Sequence, residues 1–116
     1  MRLLPLLLAS SLLFIVAPGC SSEDPKPAIG DHCATNTDCP DKCQTGGGFP
    51  NGICTKACGA DATCPSGWHC ISKSSGICLR ACTASSECAA TFGDSWVCDD
   101  EALQEGSGDV KVCIGK

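Results

Sequence analysis

Apolar residues fall into three regimes along this chain. Behind Met1-Arg2 they form an almost unbroken run from Leu3 to Val16. From Ser21 to Ala28 the residues are polar, with two prolines and no apolar period, and from Gly30 onward short apolar stretches are punctuated by Cys and Gly. The first run, with one positive charge ahead of it, reads as the h-region of a signal peptide over 1–19. A retained span would want about 20 apolar residues, whereas this one contains Pro5, Ser10 and Ser11 and stops at Ala17-Pro18-Gly19. The second stretch, within 20–29, reads as a tether that reaches roughly 25–30 Å when extended and is stiffened by its prolines. In the third, Thr45 to Gly52 is dense in turn formers and predicts a hairpin with a flexible tip. Val110 and Val112 alternate with Lys111 as a closing strand would. Helix is expected only as single turns, for instance after Cys33 and Cys82.

The pattern after Gly30 repeats. Gly52-Ile53-Cys54-Thr55-Lys56-Ala57-Cys58 returns as Gly76-Ile77-Cys78-Leu79-Arg80-Ala81-Cys82. Extended outward, the repeat is a unit of four cysteines, present three times: Cys33, Cys39, Cys43, Cys54; Cys58, Cys64, Cys70, Cys78; Cys82, Cys88, Cys98, Cys113. The modules span 30–54, 55–78 and 79–116. The second has the shortest loop, Ile71 to Ile77, and the third shares its Trp-x-Cys element, Trp96-Val97-Cys98 answering Trp68-His69-Cys70. The fold class that follows is small and disulfide-rich, three tandem four-Cys modules of short β-hairpins and turns with little helix.

Composition agrees. Thirteen cysteines in 116 residues, no Tyr, three Phe and two Trp leave little material for a large core and point to staples instead. Without the leader the charge is −6, seven Lys/Arg against 13 Asp/Glu, an acidic balance that argues against nucleic acid as a partner. Twelve cysteines close into six bridges, and the thirteenth, Cys20, stands apart. Ala17-Pro18-Gly19-Cys20-Ser21-Ser22 resembles the lipobox of bacterial lipoproteins, with Ala17 where Leu is usual and Pro18 where Ala or Ser is common. The resemblance implies lipidation of Cys20, cleavage before it and, through Ser21, delivery to the outer membrane. Acyl chains on that residue exceed the two-signal requirement for stable anchoring.

Spacing bears on what the other cysteines do. Zinc knuckles and redox sites favour Cys-x2-Cys, which occurs nowhere. Cys39/Cys43, Cys54/Cys58 and Cys78/Cys82 are Cys-x3-Cys pairs, two of which straddle module junctions. Behind an export signal, bridges are expected and a metal is not. Each module allows three pairings. The favoured one joins first to third and second to fourth cysteine, which ties the opening turn to both arms of the hairpin: Cys33–Cys43, Cys39–Cys54, Cys58–Cys70, Cys64–Cys78, Cys82–Cys98 and Cys88–Cys113. The gaps resemble those of the first four cysteines of EGF-like modules, although that family's fifth and sixth have no counterpart.

His32 and His69 each lie beside a Cys without a second ligand in the sequence and are expected at the surface. Trp68 and Trp96 are expected to pack on bridges as the small cores of their repeats. The loop from Asp99 to Val112 holds five of the 13 acids, lacks EF-hand spacing and is expected to be solvated, with no calcium. No nucleophile elbow, zincin motif or phosphate loop is found, so neither catalysis nor a cofactor is expected. By overall plan the chain resembles the small Cys-rich repeat lipoproteins of some Gram-negative, notably myxobacterial, bacteria. That resemblance implies a membrane-anchored surface protein. Two readings fit it: an interaction or adhesion module for a protein or surface ligand; or, as the alternative, a structural or protective envelope lipoprotein or a small protease inhibitor presenting the loop Gln44 to Ile53.

Overall fold

The computed structural model describes residues 28–116. The signal peptide, Cys20 and all but the last residues of the tether lie outside the described residues. Each four-Cys unit forms one antiparallel hairpin. β1 (Lys42–Gln44) pairs with β2 (Ile53–Thr55), β3 (Trp68–Ile71) with β4 (Ile77–Arg80), and β5 (Trp96–Ala102) with β6 (Asp109–Gly115). The register sets the third cysteine of every module opposite the fourth: Cys43 against Cys54, Cys70 against Cys78, Cys98 against Cys113. Cross-strand partners share a face of the hairpin. On that face the first cysteine bridges the third and the second bridges the fourth: Cys33–Cys43, Cys39–Cys54, Cys58–Cys70, Cys64–Cys78, Cys82–Cys98 and Cys88–Cys113.

The glycine of the repeated Gly-Ile-Cys has a steric reason. Gly52 and Gly76 have φ of +67° and +105°, and a Cβ on either would run into the carbonyl oxygen of its module's first cysteine, Cys33 or Cys58. Only glycine combines that backbone with that approach.

Single 3-10 turns cover Asn36–Asp38 and Asp61–Thr63. In the third module the helical turn is longer than expected: α1 runs from Ser85 to Phe92. The gap from Cys88 to Cys98 exceeds its counterparts from Cys39 to Cys43 and Cys64 to Cys70, and Ala89-Ala90 fills it with strong helix formers. Glu87 turns back to the Thr83 hydroxyl and N–H at the start of the helix. Gly93, at φ +114°, ends it with its N–H on Ala89 O.

Successive modules are knitted by the chain between them. The closing strand of one module runs on as the lead-in to the next and pairs there with the next closing strand. Cys78 N donates to Lys56 O at 3.0 Å and Cys82 N to Lys111 O at 3.1 Å, and Ala57 pairs with Ile77 and Ala81 with Val112. Before the first module, Gly30 N donates to Cys54 O at 2.8 Å and Cys54 N to Asp31 O at 2.7 Å. The buried Thr55 hydroxyl donates to Cys78 O and so satisfies the one buried polar side chain at a junction.

The bridges stay within modules, but the apolar side chains do not. Phe49 and Ile53 of the first module, Ile71, Ile77 and Leu79 of the second, and Phe92, Trp96, Val112 and Ile114 of the third form one buried cluster. Trp96 is therefore not the small core of its own repeat. It is 1% exposed and packs against Phe92 and Phe49, with ring centroids 5.0 and 6.3 Å away. Trp68 lies half-buried at the edge of the cluster, with its ring and that of Phe92 both against Gly30. Too few large residues exist for three cores, and pooling them gives one.

Candidate functional surface

The third hairpin is the longest, and its far half carries the acids. Asp99, Asp100 and Glu101 lie on β5, Glu105 in the turn and Asp109 at the start of β6. The loop expected from Asp99 to Val112 is shorter than its spacing suggests. The structure instead extends the strands, pairing Asp99 with Val112, Asp100 with Lys111, Glu101 with Val110 and Ala102 with Asp109, so only Leu103 to Gly108 form the turn. The apolar alternation that Val110 and Val112 begin is completed by Ile114, and cross-strand pairing covers the acidic side too.

The second module holds this hairpin from the side. Ser72 N donates to Ala102 O at 2.8 Å and Gln104 N to Cys70 O at 2.9 Å, while Ile71 pairs with Leu103. Lys73 Nζ lies 3.4 Å from a Glu101 carboxylate oxygen, and Lys111 Nζ 3.4 Å from one of Asp100. Asp99, Glu105 and Asp109 are exposed. Successive strand residues point to opposite faces, so the carboxylates are spread along the hairpin. Among the described residues, the groups of three candidate metal ligands that converge are all cysteines: Cys33, Cys39, Cys43; Cys58, Cys64, Cys78; Cys82, Cys88, Cys98. All are bridged, and a bridged sulfur has no thiolate to offer a metal.

Both histidines are engaged. Nδ1 of His69 lies 2.7 Å from Asp61 Oδ2, and the other oxygen of that carboxylate accepts the Cys70 N–H at 2.7 Å. The His69 hydrogen bond first, and the backbone N–H second, hold Asp61 below the usual carboxylate range. Asp38 is lowered likewise by the N–H groups of Thr35 and Ala34. The ring of His32 joins two modules: Nδ1 is 2.9 Å from Gly52 O and Nε2 is 2.8 Å from Phe92 O.

One set of residues escaped the sequence reading. Asn36, Asp61 and Ser85 each stand three residues before the second cysteine of their module, and each accepts the backbone N–H of the third. The distances are 2.9 Å for Cys43 N to Asn36 Oδ1, 2.7 Å for Cys70 N to Asp61 Oδ1 and 3.0 Å for Cys98 N to Ser85 Oγ. The shared signal is a short side chain with an acceptor oxygen at a fixed offset, and the three different residue types conceal it.

In the loop Gln44 to Ile53, Gly46 and Gly47 are open to solvent, but Phe49 is turned inward onto Trp96. Gly48 O accepts the Gly115 N–H at 2.7 Å, which fixes the loop to the last strand. The described residues form no pocket, and none of their helices is long and apolar enough to cross a membrane.

The chain is a small disulfide-rich protein of three hairpin modules around a common core. No known family model, curated protein or solved structure matches it.

Proposed function

We propose that this protein is a cell-envelope lipoprotein, anchored in the outer membrane through Cys20, that presents the acidic β5–β6 hairpin to a protein or surface ligand. The observation that carries the reading is the buttressing of that hairpin. Two backbone hydrogen bonds and the Lys73–Glu101 pair hold it against the second module, while Asp99, Glu105 and Asp109 face solvent. A rigid, charged projection has already lost the conformational freedom that binding would otherwise cost. Its carboxylates favour a basic partner by steering and register. Recognition would occur on a convex surface, with no catalytic step.

The inhibitor reading loses its support from the loop Gln44 to Ile53. Phe49, the one aromatic side chain of that loop, is 7% exposed and packs on Trp96, so it is not presented to a protease. The structural-lipoprotein reading remains the competitor that the test must separate.

Two measurements test the proposal together. Wild-type protein should fractionate with membranes and carry N-terminal acyl groups by mass spectrometry, whereas Cys20→Ser should be released. Oxidised protein should retain a specific envelope or surface component that reduced protein does not, and replacing Asp99, Asp100 and Asp109 with Asn should abolish retention. Membrane fractionation of Cys20→Ser like the wild type would refute the anchor. Retention unaffected by the three Asn substitutions, or absent throughout, would move the role to envelope structure.

A further inference from the structure

We propose that the end of the domain where the tether enters, centred on Trp68 and Arg80, is a seat for a phospholipid surface that stands the acidic hairpin upright above the membrane. The inference rests on the anchor at Cys20 proposed above. Residues 21–29 are all that separate Cys20 from Gly30, so the side chains around Gly30 are the ones an anchored chain brings to the bilayer.

Those side chains come from three elements. A Cβ on Gly30 would meet the Trp68 ring at 3.3 Å and the Phe92 ring at 3.7 Å. Trp68 opens β3 and pairs with Arg80, the last residue of β4, and cross-strand partners share a face. The exposed Arg80 reaches α1, where its Nη1 lies 3.4 Å from Thr91 Oγ1. Ile29, Gly30 and Trp68 are each partly exposed beside it. An indole with one side in apolar contact and the other in water is the side chain that settles at the level of lipid headgroups, and a guanidinium fits the phosphate of such a headgroup. The other ions at this end balance, Arg80 and Lys116 against Asp31 and Asp94, so seating depends on Trp68 and Ile29 more than on net charge. Free in solution such a patch would bind weakly. Behind an anchor the contact becomes intramolecular, at the high effective concentration that a short linker sets.

The same geometry decides where the acids point. The Phe92 ring, against Gly30, lies 5.0 Å from that of Trp96, the first residue of β5. From Trp96 the strand runs to Ala102, roughly 20 Å at the usual rise per residue, and the turn from Leu103 to Gly108 lies beyond it. Asp99, Asp100, Glu101, Glu105 and Asp109 are therefore carried away from the root of the tether. In a seated domain the turn stands more than about two Debye lengths from the lipid phosphates at physiological salt. A domain lying on this hairpin would press its carboxylates onto anionic headgroups. Apolar contact at the root and repulsion at the tip favour one orientation.

The test supplies the anchor chemically. The chain from Cys20 onward, its six bridges formed, is coupled through the Cys20 thiol to a maleimide phospholipid in nanodiscs of phosphatidylcholine and phosphatidylglycerol doped with a nitroxide-headgroup lipid. The result does not depend on acylation in the cell, so failure of the seat is distinguishable from failure of the anchor. The nitroxide should broaden the amide signals of Gly30, Trp68 and Thr91 beyond detection and leave those of Gly106 and Gly108 at full height. Trp68→Gln should restore the Gly30 and Thr91 signals without shifting those of β5 and β6. Broadening at Gly106 as strong as at Gly30 would show a domain lying along the bilayer and would overturn the proposal, as would broadening that survives Trp68→Gln. Sharp signals throughout, the outcome if the tether holds the domain off the surface or a second copy covers the patch, would overturn it too. The wild-type spectrum decides alone if the variant does not fold.

Discussion

Asn36, Asp61 and Ser85 show how a repeat hides at the level of single residues. The third cysteine of each module stands in a strand whose outer edge would leave its N–H bare, and an oxygen from the turn before the second cysteine covers it. Three residue types meet one requirement, so identity conceals what position preserves. Replacing any of them with Ala should cost about 0.5–1.5 kcal/mol, the net worth of one intramolecular hydrogen bond, with the largest loss at Asp61, whose bond to Cys70 N is the partly buried one, read as a lower midpoint in denaturant. Asp61 should add a pH signature. Its lowered pKa, set first by His69 and then by the Cys70 N–H, means that its stabilisation is present above the usual carboxylate range and is lost as pH falls through the lowered value. Asp61→Asn should therefore be less acid-sensitive than wild type. Equal acid sensitivity would mean that the His69–Asp61 contact does not form in solution.

Among elements, the hairpins were legible because turn residues and cysteine spacing dictate them locally. Thr45 to Gly52, Ser72 to Gly76 and the Val110–Lys111–Val112 alternation all lie where strands turn or close. The cysteine grid alone left three pairings open in each module. In the structure the third and fourth cysteines stand side by side on neighbouring strands, and the first cysteine of the opening turn takes the third while the second takes the fourth. The length of α1 was less legible, since it depends on Cys88 and Phe92 finding the common core, a tertiary contact. The bridges differ in the chain they close. Cys88–Cys113 has a sequence separation of 25 and Cys33–Cys43 one of 10, a difference worth about 0.8 kcal/mol in the chain-entropy account. Cys88 and Cys113 are also buried, and they fasten α1 to β6. Removing this bridge by paired Ala substitutions should lower Tm further than removing Cys33–Cys43 in the same way. The reverse order would show that loop closure and burial do not rank these staples.

At the scale of the whole molecule, the sequence shows three units, whereas the structure shows three units sharing one interior. The periodicity of the cysteines suggests independence because covalent bridges close within each module. The apolar residues are too few and too unevenly placed to honour that division: the first module contributes Phe49 and Ile53, and the third contributes Phe92, Trp96, Val112 and Ile114. Which of these would meet could not be read from spacing, since Phe49 and Trp96 are far apart in the chain and join only when the first module folds back on the third. The display of the β5–β6 hairpin rests on that closure, because the second module supports the hairpin while the first covers Trp96. The direct measurement is native-state hydrogen exchange on the bridge-intact protein, read at Cys54, Cys78, Cys82, Trp96 and Gly115, whose amides mark the lead-in to the first module, the two module junctions, the core and the closing contact. One shared core predicts that the slowest amides of all three modules exchange with a common opening free energy and a common denaturant dependence. Three separate values, one for each module, would contradict it.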